Sequence, residues 1–259
     1  MKGACAISLT QRADAAELTL LFAKGKRPNH AAIKAAVAQI PAIRLSHDPL
    51  ADGDLANSAG WAELLRDGLT FDVCGLAPGP AVASPDIASR VDLDEGSSPD
   101  QMEAIAVLPG PHLTSSARSL PVVRGMLALA CDLVRHFDDL LAVSWSPSQT
   151  AIGRRFFESV TTAWLKGGAF PALGLTAFSG TPDGAVESLG LAYWTGQELR
   201  IEPPLSNDKV AATRLGTRLV NRLVLAGMVT ADERILGPDG TRLVLRPSLD
   251  RAMISVWRE

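Results

Sequence analysis

The chain has 259 residues, 47% of them hydrophobic and 20% charged, which excludes an intrinsically disordered protein because disorder requires few hydrophobic residues and a high net charge. Its 25 basic and 28 acidic side chains give a net charge of −3, so the chain as a whole does not attract nucleic acid or an anionic membrane. The cysteines, Cys5, Cys74 and Cys131, are far apart and form no CxxC pair, which argues against a disulfide framework and a zinc finger.

The first part of the chain predicts one clear helix among short segments. Residues 29–40 carry Ile33, Val37 and Ile40 at helical spacing behind Asn29, a residue type that caps helices. The other segments are predicted as strands at residues 4–9, 43–45 and 71–76 and as one or two helical turns at residues 61–66.

Residues 77–100 differ in composition from the segments on either side. They read APGPAVASPDIASRVDLDEGSSPD, which is rich in Pro, Ser, Gly and acidic residues and typical of a linker or a long surface loop. The sequence therefore predicts an N-terminal α+β subdomain at residues 1–76, a linker at residues 77–100 and a C-terminal α+β subdomain at residues 101–259.

Two helices are predicted in the middle of the chain, each after an apolar strand, at residues 104–108 and 140–145. The first helix spans residues 119–137, with Ser119 as its cap and Pro121 in its first turn. The second helix opens at residues 146–149, whose sequence SPSQ matches a capping box, and it stops at a pair of glycines. The side chains expected to be almost fully buried in these two helices are Leu127, Val134, Phe156 and Val160.

The last third of the chain is predicted to be mostly strands. Strands are expected at residues 172–178, 188–194 and 198–201, followed by a helix at residues 207–226 and a hairpin at residues 242–245 and 253–257. Because successive strands here lack helices between them, we expect an α+β fold with a mixed, largely antiparallel sheet and helices packed on it. An apolar run ending in Pro-Gly-Pro occurs twice, at residues 71–80 and 102–111, and suggests two related subdomains.

Motifs of the large enzyme families are absent from the sequence. The chain contains no GxxxxGK[ST] phosphate loop, no HExxH and no GxSxG, and no GxGxxG follows its first predicted strand. Asp92, Asp94 and Glu103 match three positions of a calcium loop, but Ser97 stands where that loop needs glycine. We therefore expect no metal site and no cofactor.

The stretch SLGLAYWTGQELRIEPP holds the most distinctive residues: the only tyrosine, Tyr193, with Trp194, Glu198 and Arg200 around Gly196. The chain is expected to reverse at Gly196 between two strands, with one aromatic side chain partly exposed beside Glu198 and Arg200. Replacing either charged residue by alanine should then weaken binding and leave thermal stability nearly unchanged. Alternatively, both aromatics cover a core and the charged pair lies on a solvated face.

Arginines recur every four residues on the last predicted helix, at Arg214, Arg218 and Arg222. Such a stripe can bind phosphate or an acidic partner, and we expect Arg214 or Arg218 to lie close to the aromatic stretch. The alternative is a solvated face whose arginines pair with nearby acidic residues.

Three segments resemble a bacterial family known only as a domain of unknown function. They are LLAVSWSPS, FPALGLTAF and SLGLAYWTGQELRIEP, at residues 140–148, 170–178 and 188–203. The resemblance covers about residues 102–204 and implies an intracellular bacterial α+β domain with no established activity. It supplies no catalytic residue.

The leading hypothesis is a soluble, cytoplasmic bacterial protein that acts as a non-catalytic binding or protein-interaction module. Its ligand is an unknown protein or small molecule, with nucleic acid and membranes excluded and a homo-oligomer possible. The residues expected to bind are Tyr193, Trp194, Glu198, Arg200, Arg214 and Arg218. The alternative is a hydrolase or transferase acting on a small substrate in a cleft between the subdomains, with His112, Glu198 and Arg200 as acid–base candidates.

Overall fold

The computed structural model describes residues 12–13, 16–47, 60–93, 101–237 and 239–259, so the strand predicted at residues 4–9 lies outside the described residues. The chain divides into two compact units. The first comprises residues 1–146 and 151–167, and the second comprises residues 147–150 and 168–259.

The first unit contains an eight-stranded sheet in the order β2-β3-β4-β6-β1-β7-β8-β5. Its strands are β1 (Leu18–Ala23), β2 (Ile43–His47), β3 (Trp61–Arg66), β4 (Leu69–Cys74), β5 (Ser89–Val91), β6 (Met102–Pro109), β7 (Leu140–Trp145) and β8 (Thr150–Gly153). The neighbours from β2 through to β7 pair in antiparallel register.

The helices packed with this sheet include α1 (His30–Gln39), α2 (Leu120–His136) and α3 (Arg154–Leu165). The predicted cap of α1 is confirmed, because the Asn29 Oδ1 atom accepts a hydrogen bond of 2.9 Å from the Ala32 N–H. Ser119 stands at the N-cap position of α2, although its side chain makes no capping hydrogen bond. Leu127 and Val134 of α2 are buried, as the helical spacing predicted.

Residues 61–66 form strand β3, so the helical turns predicted there are wrong. Their side chains alternate, with Ala62 and Leu64 buried and Glu63 half-buried between them. The sequence WAELLR is rich in good helix formers, but pairing on both sides, with β2 and β4, decides its conformation.

The capping box predicted at residues 146–149 is also wrong. Ser146–Ser148 form a 3-10 turn, β8 follows, and α3 begins only at Arg154 with Gly153 at its N-cap position. This later start shifts the buried face, so that Phe157 is 1% exposed while Phe156 and Val160 are half-buried.

The described part of the predicted linker, residues 77–93, belongs to the first unit and does not separate the two units. The Val82 N–H donates a hydrogen bond of 3.2 Å to the Ala104 carbonyl oxygen, and β5 joins the edge of the sheet. The backbone also passes close to β8, since a Cβ atom on Gly153 would lie 1.8 Å from the Asp92 carbonyl oxygen. These contacts hold a segment of linker-like composition against the sheet.

The second unit contains a six-stranded sheet in the order β12-β13-β14-β11-β10-β9. Its strands are β9 (Ala177–Gly180), β10 (Val186–Leu189), β11 (Glu198–Ile201), β12 (Glu233–Leu236), β13 (Arg242–Pro247) and β14 (Met253–Arg258). β11 and β14 are parallel and the other neighbours are antiparallel. The two sheets confirm the predicted α+β class with mixed, largely antiparallel pairing.

The helical segments of the second unit are a kinked turn (Ala172–Leu175), one helical turn, α4 (Ala192–Thr195), and the long helix α5 (Lys209–Ala226). The Asp208 Oδ1 atom caps α5 by accepting the N–H groups of Val210 and Ala211. α5 ends at Ala226, as predicted, and Gly227 follows it at φ +84°. No helix in the described part of the chain is long and apolar enough to span a bilayer.

Two of the strands predicted in this unit differ in their bounds. The run predicted as a strand at residues 172–178 begins with the kinked turn and reaches β9 only at Ala177. The run predicted at residues 188–194 leaves the sheet at Leu189 and enters α4. Gly196 therefore ends a helical turn at φ +82° and does not join two strands directly.

Candidate functional site

Glu198 is the acceptor for four donors in the connection between β10 and β11. Its Oε1 atom accepts the N–H groups of Gly190 at 2.8 Å and Ala192 at 3.0 Å. Its Oε2 atom accepts the Leu191 N–H at 3.1 Å and the Ser188 hydroxyl. A carboxylate at the start of a helical turn satisfies N–H groups that the turn itself leaves without acceptors. Glu198 therefore fixes the local fold of the predicted site.

Arg200 lies among three carboxylates. Its Nε atom donates a hydrogen bond of 2.8 Å to Glu202 Oε1, and its two Nη atoms donate to Glu187 and Asp183. These hydrogen bonds, with that of Glu187 contributing most, hold the pKa of the Arg200 guanidinium above its usual value. The guanidinium is thus engaged on all sides by carboxylates of its own unit.

Tyr193 and Trp194 both lie in the helical turn α4 and not in the strand predicted at residues 188–194. Their ring centroids are 5.2 Å apart at an interplanar angle of 72°, and the Trp194 ring contacts Phe170 edge-on at 4.9 Å. Both side chains are half-buried. In place of a single partly exposed aromatic side chain, the structure has two half-buried rings in a small aromatic cluster.

The three arginines of the stripe on α5 differ in their ion pairing. Arg222 forms an ion pair with Glu233. Arg214 and Arg218 are exposed, and within the described ranges no acidic side chain pairs with either.

Two apolar side chains share the outer face of α5 with these arginines. Val210 is 61% exposed and Leu225 is 89% exposed. The four residues follow one another at intervals of four, four and seven, which places them on one side of the helix. We call Val210, Arg214, Arg218 and Leu225 the α5 surface.

His112 belongs to the first unit, whereas Glu198 and Arg200 belong to the second. It is exposed in a 3-10 segment (Pro111–Ser116) that follows β6. Its Nε2 atom lies 3.5 Å from the Thr70 hydroxyl.

Asp72 is a buried carboxyl that the sequence pattern did not single out. It is 2% exposed on β4, and its Oδ2 atom lies 3.4 Å from a guanidinium nitrogen of Arg12. Burial raises the pKa of Asp72 to about 6, an effect that Arg12 opposes and that Glu63, directly across on β3, reinforces. The available signal was an acidic residue inside an apolar strand, LTFDVC.

The described residues contain no group of three or more histidine, cysteine, aspartate or glutamate side chains that could hold a metal ion. Comparisons with protein-family models, with curated proteins and with solved structures found no match. The resemblance to a bacterial domain of unknown function therefore stays a prediction.

Proposed function

We propose that the protein is a non-catalytic binding module whose α5 surface holds an acidic protein segment. The observation that carries the proposal is the exposure of Arg214 and Arg218, one turn apart and without an acidic partner in the described part of the chain. Arg200 on β11 and Arg222 on α5 itself are already paired. A planar guanidinium donates two parallel hydrogen bonds to a carboxylate, so two such groups in line suit a partner carrying spaced acidic residues.

The apolar ends of the α5 surface favour a protein partner over a phosphate ion. Val210 and Leu225 expose large apolar side chains on either side of the arginines. A partner helix or strand with acidic residues at its centre and apolar residues at its ends would cover both features. The net charge of −3 gives no support to nucleic acid as the partner.

Catalysis is less well supported by the same contacts. The Glu198 carboxylate accepts four hydrogen bonds, and the Arg200 guanidinium donates to three carboxylates. A general acid or base must exchange a proton with substrate, and a charge stabiliser must reach the reacting atoms. Because both groups are hydrogen-bonded throughout to residues of their own unit, a structural role is better supported for Glu198 and Arg200 than a catalytic one.

The test is a charge-reversal double variant, R214E/R218E, compared with R155E, which changes another exposed helical arginine. Wild type and both variants are used to capture proteins from a bacterial lysate, with quantification by mass spectrometry and folding checked by circular dichroism. Recovered acidic partners are then remade as labelled peptides and titrated in low and high salt. We expect R214E/R218E to weaken peptide binding at least about tenfold and R155E to leave it unchanged. Equal binding by the double variant and wild type would exclude the α5 surface.

A further inference from the structure

The first unit has a cleft of about 560 Å³ beside the first turns of α2. The turn between β3 and β4 forms one side, and the end of α3 forms another. Its lining residues are Arg66, Asp67, Leu69, Leu120, Pro121, Arg124, Gly125, Ala128 and Leu165. The volume falls in the range of sites that bind small molecules, about 300–1,000 Å³.

Two small residues of α2, Gly125 and Ala128, line the cleft together with the apolar Leu69 and Leu165, and we call these four residues the floor of the cleft. Gly125 and Ala128 lie almost one turn apart on the helix. A Cβ atom on Gly125 would lie 3.0 Å from both the Leu69 Cδ1 and the Phe71 Cζ atoms, so the helix approaches β4 as closely as glycine permits. Leu165 adds a third apolar contact. Such a surface suits a hydrocarbon group.

Arg124 is held rigidly at the side of the cleft. Its guanidinium carbon lies 4.6 Å from the centre of the Trp164 ring, and one Nη atom donates a hydrogen bond of 2.8 Å to the Leu165 carbonyl oxygen. Within the described ranges, its Nε and other Nη atoms have no acceptor. The N–H donors of these two nitrogen atoms are therefore available on a guanidinium whose plane is already fixed.

Arg66 carries the second positive charge of the cleft. Its Nε atom donates to Asp132 at 2.8 Å and one Nη atom donates to Asp67. Asp67, the acidic residue in the lining, is thus paired with Arg66, and of the two arginines that line the cleft only Arg124 has no carboxylate partner among the described residues.

We propose that this cleft binds a small amphipathic anion, in which an apolar chain lies on the floor and one carboxylate or phosphate group is bound by Arg124. A guanidinium fixed before binding loses little rotational freedom when the ligand arrives, which favours affinity. Leu120, 50% exposed at the first position of α2, covers the apolar chain.

The test titrates hexanoate, hexyl phosphate and hexanol into the full chain by calorimetry. We expect saturable binding of at least one anion, with hexanol bound at least about tenfold more weakly, because a charge-assisted hydrogen bond is lost. The two anions distinguish a carboxylate ligand from a phosphate ligand. Hexanol bound as tightly as the anions, or no saturable binding of either anion at millimolar concentration, overturns the proposal.

Four variants complete the test. R124Q and L120E should each weaken anion binding at least about tenfold, since the first removes the guanidinium and the second places a negative charge at the mouth. Glutamate is well tolerated at the start of a helix, so L120E keeps the fold if R124Q does not. R155Q is the matched control and should bind like wild type. R214E/R218E should also bind the anion normally, which separates this site from the α5 surface. Wild-type affinity in folded R124Q and L120E refutes the assignment.

Discussion

Replacing Glu198 by alanine should destabilise the second unit strongly, in contrast to what the sequence alone predicts. The change leaves three N–H groups, of Gly190, Leu191 and Ala192, and the Ser188 hydroxyl without their acceptor. Hydrogen bonds to a charged group contribute about 1.5–3 kcal/mol each, and water that reaches the half-buried carboxylate lowers that value. Four donors with this discount give a loss of about 3–5 kcal/mol in the free energy of unfolding.

The variant E198Q serves as an intermediate case, against which the loss of unfolding free energy in E198A can be compared. Its remaining oxygen can still accept the two N–H groups bound by Oε1, while its NH₂ group cannot accept from Leu191 or Ser188. We expect E198Q to lose about half as much as E198A. E233A removes an exposed ion pair from the same unit and should cost at most about 1 kcal/mol.

Urea unfolding with peptide-resolved hydrogen exchange over residues 186–201 measures these differences. Because the chain has two units, exchange in this segment reports the second unit separately from the first. A loss below about 1 kcal/mol for E198A, or equal losses for E198A and E233A, would refute the capping role of this carboxylate.

Three further predictions follow from burial in the first unit. F157A should lower the free energy of unfolding, measured in urea, by about 3–5 kcal/mol, and F156A should lower it clearly less, because Phe157 is buried and Phe156 is half-buried. Equal losses in the two variants would contradict the placement of Phe157 on the buried face of α3. The raised pKa of Asp72 means that folding favours its protonated form, so this stabilisation is complete below about pH 4 and is lost as the pH rises through 6. Between pH 4 and 7, the free energy of unfolding of wild type should fall by up to about 3 kcal/mol relative to that of D72N. If the difference in unfolding free energy between the two proteins does not change with pH, the raised pKa of Asp72 is disproved. Burial raises the pKa of Cys74 and Cys131 to about 12, so iodoacetamide at pH 8 should modify both only in urea, as peptide mass spectrometry would show.

Local signals located the elements whose ends carry strong capping residues. Asn29 opens α1, Pro121 lies in the first turn of α2, and Gly227 ends α5. In these cases the backbone preference of a residue and its tertiary environment agree, so the sequence pattern alone is sufficient.

The errors arose where long-range pairing overrides local preference. Thr150–Gly153 form a strand of the first sheet, which no residue within the preceding SPSQ sequence indicates. Because the start of α3 was predicted too early, Phe156 was expected to be buried, whereas the buried side chain is that of Phe157. Two adjacent phenylalanines give no local means of deciding which one faces the core.

Around Gly196, the sequence indicates the buried face of β11 but not the contacts of its charged side chains. Alternation along residues 198–201 predicts that Leu199 and Ile201 face the core, and both are buried. The acceptor role of Glu198 depends on α4, a single helical turn too short to give a periodic pattern. Two of the three acidic partners of Arg200, Asp183 and Glu187, likewise become its neighbours only when β10 and β11 pair, whereas Glu202 lies two residues along the same chain.

The position of β14 has a consequence for the synthesis of the protein. All strands of the first sheet are complete by residue 153, whereas β14, made a hundred residues later, lies between β13 and β11 in the interior of the second sheet. Until Met253–Arg258 leave the ribosome, both neighbouring strands have open edges whose N–H and C=O groups can pair with other chains. The second unit is thus the part of the nascent protein most exposed to aggregation, and a message truncated before residue 253 would yield a sheet divided at its centre.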